Sequence, residues 1–325
     1  MPSREHLAPT HPVVAELVGA ERLLLLTHQN PDGDGLGSML GLRLGLMALG
    51  KEVHCVVPEG CPHKFLFLPG ADAIQVAPPA GALDCVVALD CDSRERLGHG
   101  ADVFEQASRT VDIDHHEAEA AFADANWCDG SKAAVALMIV DLLDVMRVEL
   151  TADIATCLYC GIATDTGVFR FQNTSAEALG AACRLVQAGA DPCDIAQQAW
   201  ERMPVAKARL LGRALDAAQV LEDGALIVAP LAGDDFARAG ARPEHTDGII
   251  DELKRIEGFQ IIVLLRETAP GNWRVSMRSS SADVASVCRR FGGGGHRVAA
   301  GCEIQGRRDD VVARITGEAR TALGP

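Results

Sequence analysis

A chain of 325 residues, 48% of them hydrophobic, is long enough for two domains and a substantial core. Its formal net charge of −15 argues against a long nonspecific polynucleotide track, which needs clustered lysine and arginine. It leaves room for a short anionic substrate held by metals and a few arginines.

No stretch approaches the roughly 18 consecutive apolar residues of a membrane span, and the N-terminus lacks the apolar core of a secretion signal. Eleven thinly spread cysteines, an odd number, suit a reducing cytoplasm better than a disulfide framework.

RLLLLTH (22–28) reads as a buried strand and GLGSMLGLRLGLMALG (35–50) as a helix with a small-residue face. KEVHCVVPE (51–59), DCVVALD (84–90) and SRTVDIDHH (108–116) read as further strands. Short apolar strands alternating with helices predict a parallel, doubly wound α/β sheet. In such sheets the ligand site lies at the carboxyl ends of the strands. Helical patterns at 131–147 and 151–164 precede GIATDTGVFRFQNTS (161–175), and two more follow near 175–188 and 191–200. CLYC, with Cys157 and Cys160, lies inside an apolar helical pattern. A lone CxxC without a second pair reads as core cysteine before it reads as zinc site.

The polar helical stretch 201–219 reads as an interdomain connector. Strands at 225–231, 259–268 and 272–280 follow, then a helix at 282–291, the run FGGGGH, a strand near 301–305 and a closing helix. That predicts a second, smaller α/β domain. The expected layout is a first domain at 1–195, a helical connector at 196–219 and a second domain at 220–325.

Successive strand ends deliver acids and histidines: His28, Asp32 and Asp34 after the first, Asp90 after the third, Asp114, His115 and His116 at the fourth. Asp165 follows a helix. Each has an ordinary explanation. His28 fits a turn or core histidine, Asp32 and Asp34 fit turn formers, and Asp90 fits a helix N-cap. His115 and His116 resist this, because neighbouring strand side chains point to opposite sides. A structural turn has no reason to repeat acids at successive strand ends.

Carboxylates and imidazoles without thiolates suit a pair of divalent ions, Mn²⁺ better than structural zinc, with Co²⁺ or Fe²⁺ as alternatives. The DGD spacing lets two carboxylates of one loop serve different ions. Gly33, Gly35 and Gly37 would keep Cβ atoms away from a phosphate, and the helix start near Gly35 would aim amides at it.

HQNPDGDGLGS, ALDCDSRERLG, DIDHH and GIATDTGVFRF resemble the four motifs of the DHH phosphoesterases, and VSMRSSSADVASVCRRFGGGGHRVAAGC resembles the DHH-associated domain. The chain is most similar to the NrnA-like subgroup, whose members degrade short oligoribonucleotides and dephosphorylate 3′-phosphoadenosine 5′-phosphate. Close relatives hydrolyse linear or cyclic dinucleotides.

The resemblance implies a hydrolase with its site in the cleft between two domains, two Mn²⁺ ions and a bridging hydroxide that attacks phosphorus. One ion would be held by His28, Asp32 and Asp90, the other by Asp34, Asp90, His115 and Asp165. His116 would face the phosphate, Asp114 would orient a histidine, and Arg96, placed like a family arginine near the second motif, would bind substrate or else be a solvated helix charge. Arg278, Ser279 and the loop Gly293, Gly294, Gly295 and His296 would clamp the nucleotide. A cytoplasmic homodimer acting on short RNA, dinucleotides or a nucleotide bisphosphate is implied, with no membrane and no long nucleic acid as partner.

Two positions depart from the family pattern: Glu119 stands where Asn is frequent, and AAVALM (133–138) stands where a hydroxyl residue and Glu are common. Trp127, Phe169 and Phe171 could stack a base, but packing is the simpler role. A RecJ-like exonuclease would need an extra nucleic-acid-binding module, and a manganese pyrophosphatase lacks the GGGGH element. A non-catalytic nucleotide sensor would have no need of the full ligand set.

Overall fold

The computed structural model describes residues 7–116 and 121–323, so Glu119 lies outside the described residues. The chain divides into two compact units, Met1–Arg202 and Met203–Pro325. No helix among the described residues is long and apolar enough to cross a membrane.

The first unit runs α1 (Pro12–Gly19), β1 (Arg22–Thr27), α2 (Gly33–Ala48), β2 (Glu52–Val56), β3 (Ile74–Gln75), β4 (Cys85–Leu89), α3 (Ala101–Glu105) and β5 (Thr110–Asp114). It continues with β6 (Ala125–Cys128), α4 (Val135–Val145), α5 (Ala152–Asp165), α6 (Ala176–Gln187) and α7 (Pro192–Ala196). The six strands lie in the order β3-β2-β1-β4-β5-β6, every pairing parallel. The run of four leucines in β1 follows from burial on both faces. Leu23 and Leu25 enter the core beneath α2, α4 and α5, whereas Leu24 and Leu26 pack with Val86, Ala88 and Phe104 on the other side. Chain order reverses between β1 and β4, and open parallel sheets bind ligands at such a switch point.

The small-residue face of α2 is a packing surface. A Cβ on Gly33 would strike Thr164, one on Gly37 the Cys157 carbonyl oxygen, and one on Gly41 the Leu158 side chain, all on α5. This corrects the expected phosphate-approach role of Gly33 and Gly37: they let α2 and α5 cross closely. Gly35 packs against β1 and not α5: its Cβ would strike Thr27 Oγ1 and would lie 3.4 Å from both Asp90 Oδ2 and the His28 ring. Cys157 and Cys160 are buried in α5, and all eleven cysteines are free.

The second unit runs α8 (Val205–Asp216), β7 (Gln219–Leu221), β8 (Leu226–Leu231), α9 (Gly233–Ala239), α10 (Ile249–Leu253), β9 (Ile261–Ala269), β10 (Asn272–Ser279) and α11 (Val284–Arg289). The hairpin strands β11 (Gly294–His296) and β12 (Ala299–Gln305) and the helix α12 (Arg308–Leu323) complete it. Its mixed sheet has the order β11-β12-β10-β9-β8-β7.

Residues of α11 and α12 cover one face, and residues of α8, α9 and α10 cover the other. The expected connector therefore differs from the structure. Leu210 and Ala214 of α8 are buried against Ile227 and Ala229 of β8, so α8 belongs to the second unit's core. The glycine run differs too, because Gly294 to His296 form an edge strand paired with Ala299 to Gly301.

Candidate functional site

The rim of the first sheet brings the anticipated acids and histidines together. Ligand-capable atoms lie within 4.8 Å of one another in three overlapping sets: His28, Asp32 and Asp90; Asp34, His115 and Asp165; and Asp90, His115 and His116. His28 leaves the end of β1 and Asp90 the end of β4, the two strands flanking the switch point. Asp90 sits in the left-handed region with φ 61°. That conformation is uncommon for a residue with a side chain and recurs where a site over-determines it.

Two histidines are aimed in the same way. His28 Nδ1 contacts the Gln29 carbonyl oxygen at 2.9 Å, and its Nε2 lies 3.5 Å from Asp90 Oδ2. His115 Nδ1 contacts the Lys132 carbonyl oxygen at 3.3 Å, and its Nε2 lies 3.0 Å from Asp165 Oδ2 and 3.5 Å from Asp90 Oδ1. A backbone carbonyl that accepts a hydrogen bond from Nδ1–H fixes the proton there and leaves Nε2 as a ligand nitrogen. Asp90 Oδ1 and His115 Nε2 are buried and lack an aligned hydrogen-bond partner. Buried polar atoms are seldom left so, and the donor set of carboxylate oxygens and imidazole nitrogens fits divalent cations.

The electrostatics agree. Burial pushes the Asp34 carboxyl well above its usual range, and the charges of Asp165 and Asp90 act in the same sense. Asp165 is raised as well, by burial first. Burial also opposes ionisation of Asp90, but His115 and His28 outweigh it and hold that carboxyl below its ordinary value. For the histidines burial disfavours the charge, yet Asp32 and Asp90 bring His28 up to about 10, and Asp165 and Asp90 bring His115 up to about 11.

Each imidazole thus titrates higher folded than unfolded, where the value is about 6.5. Its stabilisation is complete below that pH and is lost as pH rises through about 10 and 11. The raised Asp34 and Asp165 also lose stability with rising pH. We predict that the chelator-stripped protein loses about 5 °C or more of Tm between pH 7 and 10, and that added Mn²⁺ flattens the slope. A level profile in chelator would contradict this account of the cluster.

Several of these residues also perform structural tasks. Asp32 caps α2, its Oδ1 accepting from the Asp34 and Gly35 amides at 2.9 and 3.1 Å. Those amides are therefore already engaged, contrary to the expectation that they greet a phosphate. Asp34, fully buried, accepts from the Val135 and Ala136 amides at 2.6 and 2.9 Å. It caps α4 from outside, which explains how that helix starts after Ala134, an N-cap residue with no capping side chain of its own.

Because β5 ends at Asp114, His115 and His116 do not diverge as strand neighbours would. Their rings lie 4.6 Å apart and both face Asp90. Asp114 Oδ1 accepts from His116 Nδ1 at 2.8 Å and from the His115 amide at 2.9 Å. The Arg96 side chain lies 4.0 Å from Asp92, half-exposed, while its carbonyl oxygen accepts from the Gln29 amide. Trp127 and Phe169 pack against the core, and exposed Phe171 lies against Gly167.

In the second unit a cavity of about 800 Å³ is lined by Arg278, Gly293, Gly294 and Gly295, together with Arg274 and Ser276. The last two escaped sequence reasoning, although the alternation in NWRVSMRSS places 274, 276 and 278 on one face of β10. Ser279 Oγ instead accepts from the Ser281 and Ala282 amides, a turn role. His296 is exposed on β11, outside the residues that line this cavity.

Residues 22–162 match the DHH family, N-terminal domain, and residues 223–321 match the DHHA1 domain. The chain is 37% identical to the bifunctional oligoribonuclease and PAP phosphatase NrnA of Thermus thermophilus, over 96% of this chain and 94% of that protein. It is 28% identical to the protein of the same description from Bacillus subtilis, over 87% of this chain and 90% of the other. An exopolyphosphatase-related protein from Bacteroides fragilis shares the fold, with TM-score 0.86, 23% identity and 94% of each chain covered. With acids and histidines at its switch point and a DHHA1 unit after it, this chain belongs to the DHH family.

Proposed function

We propose that this protein is a metal-dependent phosphoesterase that hydrolyses short oligoribonucleotides or dinucleotides and 3′-phosphoadenosine 5′-phosphate. One observation carries the reading: carboxylates and two carbonyl-oriented histidines converge at the β1/β4 switch point around buried atoms of Asp90 and His115 that lack aligned partners. The substrate class comes from the relatives, whose descriptions name oligoribonuclease and PAP phosphatase. A net charge of −15 supports a short substrate over a long one.

His28, Asp32 and Asp90 would hold one divalent ion, and Asp34, Asp90, His115 and Asp165 a second, Asp90 being shared. Mn²⁺ is the favoured ion, with Co²⁺ or Fe²⁺ as alternatives. Bound there, the pair would supply Lewis acidity and neutralise charge developing on the phosphoryl group. His116, more exposed than His28 and His115, has its Nδ1 held by Asp114, whose hydrogen bond raises its pKa. When protonated, this imidazole would donate from Nε2–H to a phosphoryl oxygen. Arg278 and the glycine strand would bind the rest of the nucleotide, and the homodimer implied by the resemblance is readable by light scattering.

Initial rates with Mn²⁺ on a 5′-phosphorylated dinucleotide, 3′-phosphoadenosine 5′-phosphate and a cyclic dinucleotide test the assignment. Fast turnover of the first two supports it, preference for the cyclic compound replaces it with a signalling role, and silence on all three removes it. Replacing His296 with alanine should lower kcat/KM on nucleotides about tenfold, the worth of one hydrogen bond of about 1.4 kcal/mol. A minimal aryl phosphate diester should be spared, and equal loss on both would assign His296 to folding or chemistry.

A further inference from the structure

The ligand set Asp34, His115 and Asp165 is tied to one short segment, residues 132–136, by three routes. The Lys132 carbonyl oxygen contacts His115 Nδ1 at 3.3 Å. The Val135 and Ala136 amides donate to the two oxygens of Asp34 at 2.6 and 2.9 Å. The Asn173 side-chain amide donates to the carbonyls of both Ala133 and Asp165, at 3.1 and 3.0 Å. The other set is supported elsewhere. His28 rests on the Gln29 carbonyl, and Asp32 on the amides of Asp34 and Gly35.

The segment is anchored at both ends. Upstream, the Asp129 amide donates to the Asp114 carbonyl, continuing the line of β5, and Asp129 closes the turn by accepting from Ser131. Downstream, the Lys132 ammonium lies 2.7 Å from Asp141 on α4 and 2.6 Å from Glu177 on α6. The Lys132 side chain is 11% exposed, with both acids partly buried. Taking one partner from a largely desolvated ion cluster leaves the others uncompensated. Without the ammonium, Asp141 and Glu177 would repel, and the start of α4 would lose its clamp.

We propose that Lys132 is a positioning residue for one of the two ion sites. By clamping residues 132–136 to α4 and α6 it holds Asp34, His115 and Asp165 in register, while the His28–Asp32–Asp90 set does not depend on it. The assignment rests on the two-ion reading above. A lysine serving only overall stability would shift Tm and move both ion sites together, or neither.

The test is a Mn²⁺ titration of chelator-stripped protein, followed by calorimetry and by the electron spin resonance signal of free Mn²⁺. Wild type, K132M, K132R and N173A are compared. Wild type should bind two ions. K132M should weaken one site about 10–100-fold, the usual effect of losing a group that orients metal ligands, and leave the other within about twofold. K132R should recover most of the loss, and N173A should weaken the same site, which keeps the test intact if K132M folds poorly. Two unchanged sites in K132M, or equal weakening of both in a protein with wild-type Tm, overturns the proposal. A wild type that binds no ion overturns the two-ion reading itself.

Discussion

Asp90→Ala should lower turnover by about a thousandfold or more on every nucleotide substrate. Asp90 is the carboxylate that both oriented histidines face, at 3.5 Å from His28 and 3.5 Å from His115, and it belongs to two of the three candidate ligand sets. Its loss would deprive both ions of a shared ligand. Metal stabilisation of transition-state charge is worth several kcal/mol, and each 1.36 kcal/mol is a factor of ten. Asp90→Asn separates charge from shape: it keeps the volume but removes the anion, and should be almost as slow. Rates within about tenfold of wild type for Asp90→Ala, with saturating Mn²⁺, would end the shared-ligand assignment.

Gly37→Ala should destabilise the protein, whereas the same change at Gly180 should not. Both glycines lie inside helices, so both gain the roughly 1 kcal/mol by which alanine exceeds glycine in helix propensity. At Gly180 on α6 nothing lies within 4 Å of the new Cβ, and the gain should appear as a higher Tm by about 2–4 °C. At Gly37 the new methyl group meets the Cys157 carbonyl oxygen and the Gly161 amide on α5. These are backbone atoms that cannot rotate away, and overpacking costs about 1–3 kcal/mol or more. Sterics should win at Gly37, with Tm lowered by several degrees.

The forced separation of α2 from α5 should also weaken Mn²⁺ binding, because Asp34 is on α2 and Asp165 ends α5. A thermal scan of the two variants beside wild type decides it. A stabilised Gly37→Ala would show that the two helices have slack where the structure shows none.

Much of the first unit was legible in the sequence because parallel strands buried on both faces read as uninterrupted apolar runs. RLLLLTH, CVVAL and TVDID became β1, β4 and β5. The ligand candidates other than Asp165, which ends a helix, were legible because each follows such a run, and chain chemistry changes abruptly there. The short strand β6 and the helices α9 and α10 left too little periodic signal to find. The run GGGGH read as a loop because glycine carries no side-chain pattern, although Gly294 to His296 pair with β12. Lys132 and Asn173 carried no periodic signal, since each joins a partner on a neighbouring element to one that is 40 or 45 residues away.

By itself the sequence determined which residue types stand at the ends of strands, and hence that acids and imidazoles would gather on one rim. It also determined the apolar patterning from which each α/β unit builds its own core. Tertiary structure alone decided what each residue meets. It turned Gly33 and Gly37 toward α5, gave Asp34 the task of capping α4, and brought His115 and His116 to the same side of Asp90. Spacing along a chain specifies local periodicity, whereas a contact between residues a hundred positions apart exists only once helices pack.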